Sequence, residues 1–418
     1  MEATLAMLSP KAIRVPAVRT QVLFGRRSSE VLNGRMVVAS LPSALESPTM
    51  VAIRRPPQTT VVFDTYWRFA VERQAVYFRR LEGEPSPWTS DPTLQRFRFT
   101  NAYRAADRAS QFLIRKVIYE GPQTPREVAF RTLLFRLFNL PSTWQALTAE
   151  FGQPEASSFD PSMYSAALAR HAARGANLYS AAYVIPPVPQ MGGERKHEQH
   201  LELVRWILAD KIEERLGDAS SLESVFDTLS SYPSLGRFLA FQLTIDLNYG
   251  PHLGFDEMDF VAAGPGAREG IAKCFAEREG WSDEDIIHWV TDRQEEEFDL
   301  RGLSFQTLWG RRLQLIDCQN LFCEIAKYSR VAHPEFTAAG GRHRMKRTYS
   351  AGPEIDQPWF PPKWGINERI SPIAASRPSP EQLDLSLDQV QPKTTAVGGA
   401  DRTPYAVRLQ DRLLPLGR

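Results

Sequence analysis

The stretch LIDCQNLFCEIAKYSRVAHPEF, from Leu315 to Phe336, sets the expected fold class. One side of it is apolar and recurs at three- and four-residue intervals, the period of an amphipathic α-helix: Leu315, Cys318, Phe322, Ile325 and Ser329. Another side is polar at about the same period: Asp317, Asn320, Glu324, Lys327 and Arg330. The pattern predicts a helix, and it leaves open whether the polar side faces water or lines a cleft.

The same helical period extends outward along the chain. A segment beginning at Phe63 is periodic up to Gly83, and two further helices are predicted on either side of Pro141. Asp160 and Pro161 have the character of an N-cap followed by the first helical residue. A long amphipathic helix is expected to close at Gly217, and no period-two segment is strong enough to indicate a sheet. We therefore predict an all-α, single multi-helix domain.

Composition limits the classes of function. The chain has 418 residues, 43% hydrophobic and 24% charged, as in an ordinary soluble globular protein. A net charge of +1 provides no attraction of the whole chain to nucleic acid, so such binding requires a local patch. The three cysteines lack CxxC spacing, which argues against a disulfide framework and a cysteine zinc site. No apolar run approaches the roughly 18 residues of a membrane span, so no membrane association is expected.

Proline and charge distribution suggest four regions. Residues 1–58 are basic and acid-poor, which favours a disordered tail over an organelle transit peptide, although organelle targeting stays open. Residues 59–340 hold the periodic segments, and residues 341–365 form a basic and aromatic strap. Residues 366–418 form a disordered, proline-rich tail. We expect an intracellular location, and the nucleus if the source is eukaryotic.

The segment around residue 100 is the first candidate for a functional site. A helix starting near Thr100 would align five polar side chains in one stripe: Asn101, Arg104, Asp107, Arg108 and Gln111. These residue types are suited to directed hydrogen bonds, and arginine binds phosphate or carboxylate through two N–H groups. An exposed face with an internal ion pair would have the same spacing.

A second candidate is the sequence Gly264-Pro265-Gly266, expected as a tight turn after a short helix, with another helix from Ala267. Such a turn can present backbone N–H groups to a DNA phosphate, as a helix-hairpin-helix does. Arg268 would support this contact. A plain helix–helix connection would have the same residues. No strand precedes the glycines and no GK[ST] follows them, so neither a dinucleotide fingerprint nor a P-loop is expected.

Asp317 and Lys327 in the opening stretch are the third candidate, as a general base or as groups that stabilise charge. A solvated ion-pair face is the alternative. His197 and His200 are three residues apart, which is not the spacing of a zinc-binding HExxH helix, so neither a metal nor another cofactor is expected.

Three segments together resemble the α-glutamyl/putrescinyl thymine pyrophosphorylase family, also described as the helical domain associated with 5-hydroxymethyluracil DNA kinases. They are PWTSDPTLQRFRFTNAYRAADRASQFL, FRTLLFRLFNLPSTW and LIDCQNLFCEIAKYSR. The resemblance covers about residues 63–335. It implies a DNA-glycosylase-like helical fold and hypermodification of a thymine-derived base in DNA. An amino acid or polyamine would displace pyrophosphate from a pyrophosphorylated 5-hydroxymethyluracil. A separate base kinase and a hydroxylase would supply the substrate, because this chain lacks a P-loop.

The residues can be assigned to this implied reaction. Cationic groups would hold the pyrophosphate: Arg79, Arg80, Arg104, Arg108 and Lys327. Asp107 or Asp317 would take the proton from the amine. Polar side chains would bind the substrate beside them: Asn101, Gln111 and Asn320. Aromatic side chains would hold a base that has left the duplex: Trp88, Phe97, Tyr103 and Tyr328.

Two other functions remain open on the sequence. One is glycosylase-like removal of a modified base, in which Asp317 would stabilise a cationic sugar. The gap between the glycine turn and Asp317 is longer than in glycosylases, so residue roles do not transfer directly. The other is a non-catalytic helical DNA-binding module in which the basic run GRHRMKR contacts phosphates.

Overall fold

The computed structural model describes residues 55–182, 185–337, 345, 347–350 and 355–372. All of these belong to one compact unit, Arg54–Arg418. The two predicted tails lie mostly outside the described residues, as does most of the basic run at 341–346.

The described residues are mostly helical, as the periodicity predicts. The α-helices are α1 (Val61–Leu81), α2 (Pro92–Arg96), α3 (Arg108–Phe112), α4 (Pro125–Phe138), α5 (Pro141–Phe151), α6 (Pro161–Ala173), α7 (Lys196–Ala209), α8 (Ile212–Gly217), α9 (Leu222–Ser230), α10 (Arg237–Tyr249), α11 (Pro265–Cys274), α12 (Asp283–Asp292), α13 (Gln294–Leu300) and α14 (Leu315–Ala332). The strands β1 (Gln58–Thr59) and β2 (Phe275–Glu277) form a small antiparallel sheet. No helix of the described part is long and apolar enough to cross a bilayer.

Local sequence explains where many helices begin and end. Asp160 accepts hydrogen bonds from the first backbone N–H groups of α6, which confirms the predicted cap. Asn139 ends α4 in the left-handed conformation with φ 51°, and Pro141 then opens α5. The expected long helix up to Gly217 is instead two helices, α7 and α8, because Lys211 has a φ of 54° that an α-helix cannot accommodate.

The centre of the core is the packing of α14 against α11 and α1. Gly270 allows the first contact, because a Cβ there would lie 2.0 Å from the carbonyl oxygen of Phe322. On the α1 side, Tyr66 packs its ring 4.6 Å from that of Phe322 and donates a hydrogen bond to the carbonyl of Cys318. The apolar side of the opening stretch is therefore buried between two helices, as its period predicts.

Two predicted local structures around the candidate sites are wrong. No helix starts near Thr100: the chain is irregular up to a 3₁₀ turn at Arg104–Ala106, and α3 begins only at Arg108. No short helix precedes Gly264 either, because residues 250–264 are irregular. The five-residue stripe on one helix and the tight helix-hairpin-helix turn are thus absent from the described structure.

Residues 355–372 pack on the helical core through their aromatic side chains. Phe360 is fully buried, with its ring 5.8 Å from that of Trp309, and Trp364 packs edge-on against Tyr249. The ammonium of Lys363 donates to the carbonyl of Asn248 in the last turn of α10 and to those of residues 250 and 253 just after it. Residues 355–372 thereby provide a hydrogen-bond donor for backbone carbonyls at the junction of α10 with the irregular residues 250–264.

A buried ion cluster joins α4, α10 and the segment before α3. Asp246 accepts hydrogen bonds from the guanidinium groups of Arg104 and Arg136, at 2.7 Å from each of their Nη2 atoms. Gln242 and Tyr249 accept further hydrogen bonds from Arg104. Two buried cations thus share one buried carboxylate as their counter-charge.

We predict that Asp246→Ala lowers the free energy of unfolding by about 3–5 kcal/mol, because two buried guanidinium groups would lose their counter-charge. Urea denaturation measures this change. Asp218→Ala, at an exposed position after α8, is the control and should change stability by less than about 0.5 kcal/mol. Equal, small effects of the two substitutions would contradict the structural role of Asp246.

Candidate functional site

The side of α1 that faces the interior carries polar groups without hydrogen-bond partners, and we call it the α1 polar face. It consists of the buried Trp67, Gln74 and Tyr77 together with the half-buried Arg73. Within the described part of the chain no partner exists for the indole Nε1 of Trp67, Nη1 of Arg73, either amide atom of Gln74 or the hydroxyl of Tyr77. An unpaired buried polar group costs about 1–3 kcal/mol, so five such atoms on one helix indicate a site for a polar ligand.

The irregular segment before α3 lies against this face and places a carboxylate there. Asn101 accepts a hydrogen bond from Nη2 of Arg73 and donates from Nδ2 to the carbonyl of Ala106 at 2.7 Å. The backbone N–H of Asn101 donates to Oδ1 of Asp107 at 2.8 Å. We call Arg73, Asn101 and Asp107 the Asp107 cluster.

The electrostatics of this cluster suit acid–base chemistry. Burial raises the pKa of Asp107 to about 6, and the hydrogen bond from Asn101 and the charge of Arg73 oppose the rise only in part. Burial lowers the pKa of Arg73 to about 10, which still leaves the guanidinium charged at neutral pH. A carboxylate that is ionised just above pH 6, next to a fixed cation, can accept a proton at neutral pH.

Helix α14 forms the other wall and meets the same segment at two carboxylates. Asp317 accepts hydrogen bonds from the backbone N–H groups of Arg104, at 2.8 Å, and Gln314, at 3.0 Å. Glu324 accepts from the N–H of Thr100 at 3.3 Å and pairs with Lys327 at 2.5 Å. The two segments singled out in the sequence therefore pack together, with Asp317 and Glu324 at their contact.

Asp317, Asn320 and Lys327 differ in how accessible they are. Asp317 is buried, and burial raises its pKa to about 7 against the hydrogen bonds from Gln314 and Arg104. Asn320 is half-buried, and its side chain makes no hydrogen bond within the described residues. Lys327 keeps 42% of its side chain exposed; burial alone would lower its pKa, but Glu324 raises it, so the ammonium stays charged.

Arg104 is not placed to contact a substrate, which corrects the expectation from the sequence. Its residue is only 2% exposed and its guanidinium is held by Asp246, Gln242 and Tyr249. Gln111 is similarly engaged, since it donates to the carbonyl of Ala105 and accepts from the N–H of Trp359. The hydrogen bonds of both side chains therefore connect separate parts of the fold.

Of the other predicted cations, Arg79 and Arg80 contact Trp88, and Arg108 is exposed. Arg79 donates to the carbonyl of Trp88 at 2.6 Å, and the guanidinium of Arg80 lies 4.9 Å from the Trp88 ring. The charge of Arg80 also lowers the pKa of Arg73, which puts the two groups near each other. Arg108 is exposed and has no polar partner among the described residues.

The glycines of the expected phosphate turn serve packing instead. A Cβ at Gly264 would lie 2.9 Å from the ring of Phe238, and one at Gly266 would lie 2.9 Å from Sγ of Cys323 on α14. The small residues allow α11 to approach α14 closely. Arg268 is exposed and lies 3.6 Å from Asp283. The predicted contact of this turn with a DNA phosphate stays a prediction without a supporting geometry.

Three of the expected base-stacking residues are held by the protein itself. The hydroxyl of Tyr103 donates to the carbonyl of Arg311, and that of Tyr328 donates to Asp91 at 2.6 Å. Phe97 pairs its backbone with Thr348 in an antiparallel bridge. This bridge brings residues 347–349 next to α2, close enough for Tyr349 to influence the pKa of Arg73.

The sequence reasoning missed Arg73, Gln74 and Tyr77. The signal was present, because Arg73 and Gln74 interrupt the apolar side of α1 that includes Tyr66, Ala70 and Tyr77 at helical spacing. Polar residues on an otherwise apolar helix side require partners in the interior. The unbroken hydrophobic period of the rest of α1 concealed this exception.

The histidines of α7 also have partners in the protein. His200 is bonded to the hydroxyl of Tyr179 through Nδ1 and to the carbonyl of Pro186 through Nε2, and His197 is bonded to Ser165. Burial lowers the pKa of His200 to about 4, so it is neutral at physiological pH.

The fold and the site together define a class: an all-α domain in which an interior polar helix face, a carboxylate and a guanidinium converge. A family model described as "5-hmdU DNA kinase, helical domain" matches residues 60–338. The chain belongs to this family of helical domains.

One curated protein is similar to this chain over part of its length. A protein of Bacillus phage SP10 described as a 5-hmdU DNA kinase is 28% identical over 308 residues, which cover 69% of this chain and 48% of the phage protein. The chain therefore spans about half the length of that relative. No solved structure matches the chain.

The raised pKa of Asp317 predicts a pH-dependent stability. Its pKa is about 7 in the folded protein and about 3.8 when unfolded, so the folded state binds the proton more tightly. The contribution of Asp317 is therefore most favourable below about pH 4 and declines as the pH rises to about 7. We predict that the stability advantage of the wild type over Asp317→Asn falls between pH 4.5 and 7.5 in urea denaturation.

The control is Asp160→Asn at the α6 cap. Hydrogen bonds from Ser162 and Met163 lower the pKa of Asp160, so this residue stays ionised in both states across that pH range. Its substitution should therefore have a pH-independent effect. A pH-independent effect of Asp317→Asn as well would contradict the raised pKa.

Proposed function

We propose that this chain modifies a 5-hydroxymethyluracil-derived base in DNA, and that it transfers an amine to the base with release of pyrophosphate. Membership in the 5-hmdU DNA kinase helical-domain family supports the substrate class. The resemblance of the sequence to the thymine pyrophosphorylases supports the type of reaction. The structural observation that carries the proposal is the Asp107 cluster, in which a carboxylate suited to proton transfer adjoins a partly unpaired guanidinium.

The reaction replaces one bond at the exocyclic methylene of the base. The nitrogen of the amine forms a bond to the methylene carbon, and the carbon–oxygen bond to pyrophosphate breaks with its electrons on the leaving oxygen. The nitrogen then gives up a proton. Atoms and charges balance without a redox partner. A kinase acting on the hydroxymethyl group, and a hydroxylase before it, would have to supply the substrate.

The residues of the site can be assigned to these steps. Asp107 accepts the proton from the amine, since it is ionised above about pH 6. Arg73 contacts the leaving pyrophosphate through its unpaired Nη1, while Asn101 orients the guanidinium through Nη2. Arg80 adds positive charge near it, and the exposed Arg108 is the next residue after Asp107 in the chain. Lys327 and Asn320 contribute from α14 as substrate-binding groups.

Asp317 is a positioning residue in this proposal. Both of its oxygens accept backbone N–H groups, and it is buried. It fixes the start of α14 against Arg104, and so holds the segment that bears Asp107. A glycosylase-like role for Asp317 would require a carboxylate open to the sugar, and nothing in its surroundings favours this second function.

The test uses a single-stranded oligonucleotide that carries one pyrophosphorylated 5-hydroxymethyluracil, with an amino acid or putrescine as the amine. We predict release of pyrophosphate and a base that gains the mass of the amine. Asp107→Asn should lower the rate by about 10²- to 10⁴-fold, because general base catalysis would be lost. Arg73→Gln should also lower it, while Arg68→Gln, on the exposed side of α1, should have little effect.

Other products would separate the alternatives. Abasic sites without pyrophosphate release would instead indicate a glycosylase. Binding of the oligonucleotide with neither product, unchanged in Asp107→Asn, would indicate a non-catalytic DNA-binding domain. Full activity of Asp107→Asn would remove that carboxylate from the reaction.

A further inference from the structure

Gln74 is the member of the α1 polar face with the most unpaired atoms, and the proposed reaction gives it no role. It is 0% exposed, and both its amide oxygen and its amide nitrogen lack a partner among the described residues. Burial alone does not explain this state. Gln294 is also buried, yet its amide donates to the carbonyls of Thr291 and Leu313 and accepts from the N–H of Leu313.

The position of Gln74 relates it to the Asp107 cluster. Arg73, its neighbour in the chain, is bonded to Asn101. Tyr77 follows one turn later on the same side of α1, with its hydroxyl also unpaired. Arg73 and Asp107 are the charges near enough to Tyr77 to influence its pKa, which burial raises. Gln74 is therefore within one helical turn of groups that adjoin the reacting carboxylate.

The chemistry of a free amide limits what can satisfy it. Its oxygen needs a donor and its nitrogen needs an acceptor, side by side. A phosphate has only acceptors and would leave the amide oxygen unpaired, and an apolar ligand would leave both atoms unpaired. The N3–H of uracil lies between two carbonyl oxygens, so this edge of the ring offers the required pair.

We infer that Gln74 recognises the N3–H and the adjacent O4 of an extruded uracil-type base. This inference rests on the proposed function, because it assigns the base of that substrate to the interior face of α1. The reactive methylene is attached to carbon 5 of the ring, and carbon 5 is bonded to the carbon that bears O4. The methylene therefore lies next to the ring edge that Gln74 would bind. Tyr77 offers its hydroxyl beside the amide.

The contact between Gln74 and N3–H can be tested without catalysis by combining one substitution in the protein with one methylation of the base. The probes are single-stranded oligonucleotides with one 5-hydroxymethyluracil, either unmodified or methylated at N3, and fluorescence anisotropy gives the dissociation constants. Methylation removes the donor, and it should weaken binding to the wild type about 10- to 100-fold. Gln74→Met keeps the unbranched shape without the amide, so methylation should change its affinity by less than about 2-fold. Equal sensitivity of both proteins to methylation, or none in the wild type, would overturn the inference.

Thermal unfolding provides a second readout that is independent of binding. If the amide is unpaired in the free protein, Gln74→Met should raise the Tm by at least about 2 °C. Gln294→Met is the matched control, and it should lower the Tm because three hydrogen bonds disappear. A lower Tm in Gln74→Met would mean that the amide is paired within the fold, which contradicts its role as a ligand contact.

The two proposals can fail separately. A wild-type protein that discriminates N3-methylation through Gln74 but releases no pyrophosphate would retain the base contact and lose the proposed reaction. A protein that releases pyrophosphate equally well with Gln74→Met would retain the reaction and lose the base contact.

Discussion

The position of Arg104 is the constraint on which the rest of the site depends. Its backbone N–H is held by Asp317 at the start of α14, and its guanidinium is held by Asp246 on α10, 142 residues away in sequence. These two contacts fix the irregular segment before α3 between two helices. Because that segment cannot relax into a helix, Asn101 and Asp107 stay opposite α1. A buried ion cluster thus determines where the candidate general base lies.

The interior of the protein therefore has two kinds of polar group. Those around Arg104 and Asp317 are fully engaged, and they stabilise the path of the chain. On the α1 polar face, the amide of Gln74, the hydroxyl of Tyr77 and the indole N–H of Trp67 are buried without partners in the described structure, which lowers stability. A protein tolerates such groups when a ligand satisfies them, and functional sites are where stability is commonly given up. Because the unpaired groups lie on α1 and the groups around Arg104 are already paired, we propose that the substrate binds at α1.

The sequence predicts helices well where local signals decide, and the site poorly where distant contacts decide. Hydrophobic period and caps such as Asp160 and Pro141 are local properties, and the corresponding helices are present. The helix expected at Thr100 is absent because the carboxylates of Asp107 and Asp317 bind backbone N–H groups there. Whether an arginine is buried, or a glutamine lacks a hydrogen-bond partner, depends on residues far away in the chain. The spacing of residues in the sequence therefore could not predict the structural role of Arg104 or the unpaired amide of Gln74.

The substrate we propose, a modified uracil base, would bind between the α1 polar face and the Asp107 cluster. A crystal structure of the protein with a single-stranded oligonucleotide that contains 5-hydroxymethyluracil tests this placement most directly. We expect the ring edge within hydrogen-bonding distance of the Gln74 amide, and the hydroxymethyl oxygen directed to Arg73 and Asp107. A base bound elsewhere, with water molecules on Gln74 and Tyr77 in the complex, would show that the α1 polar face is not the base-binding site.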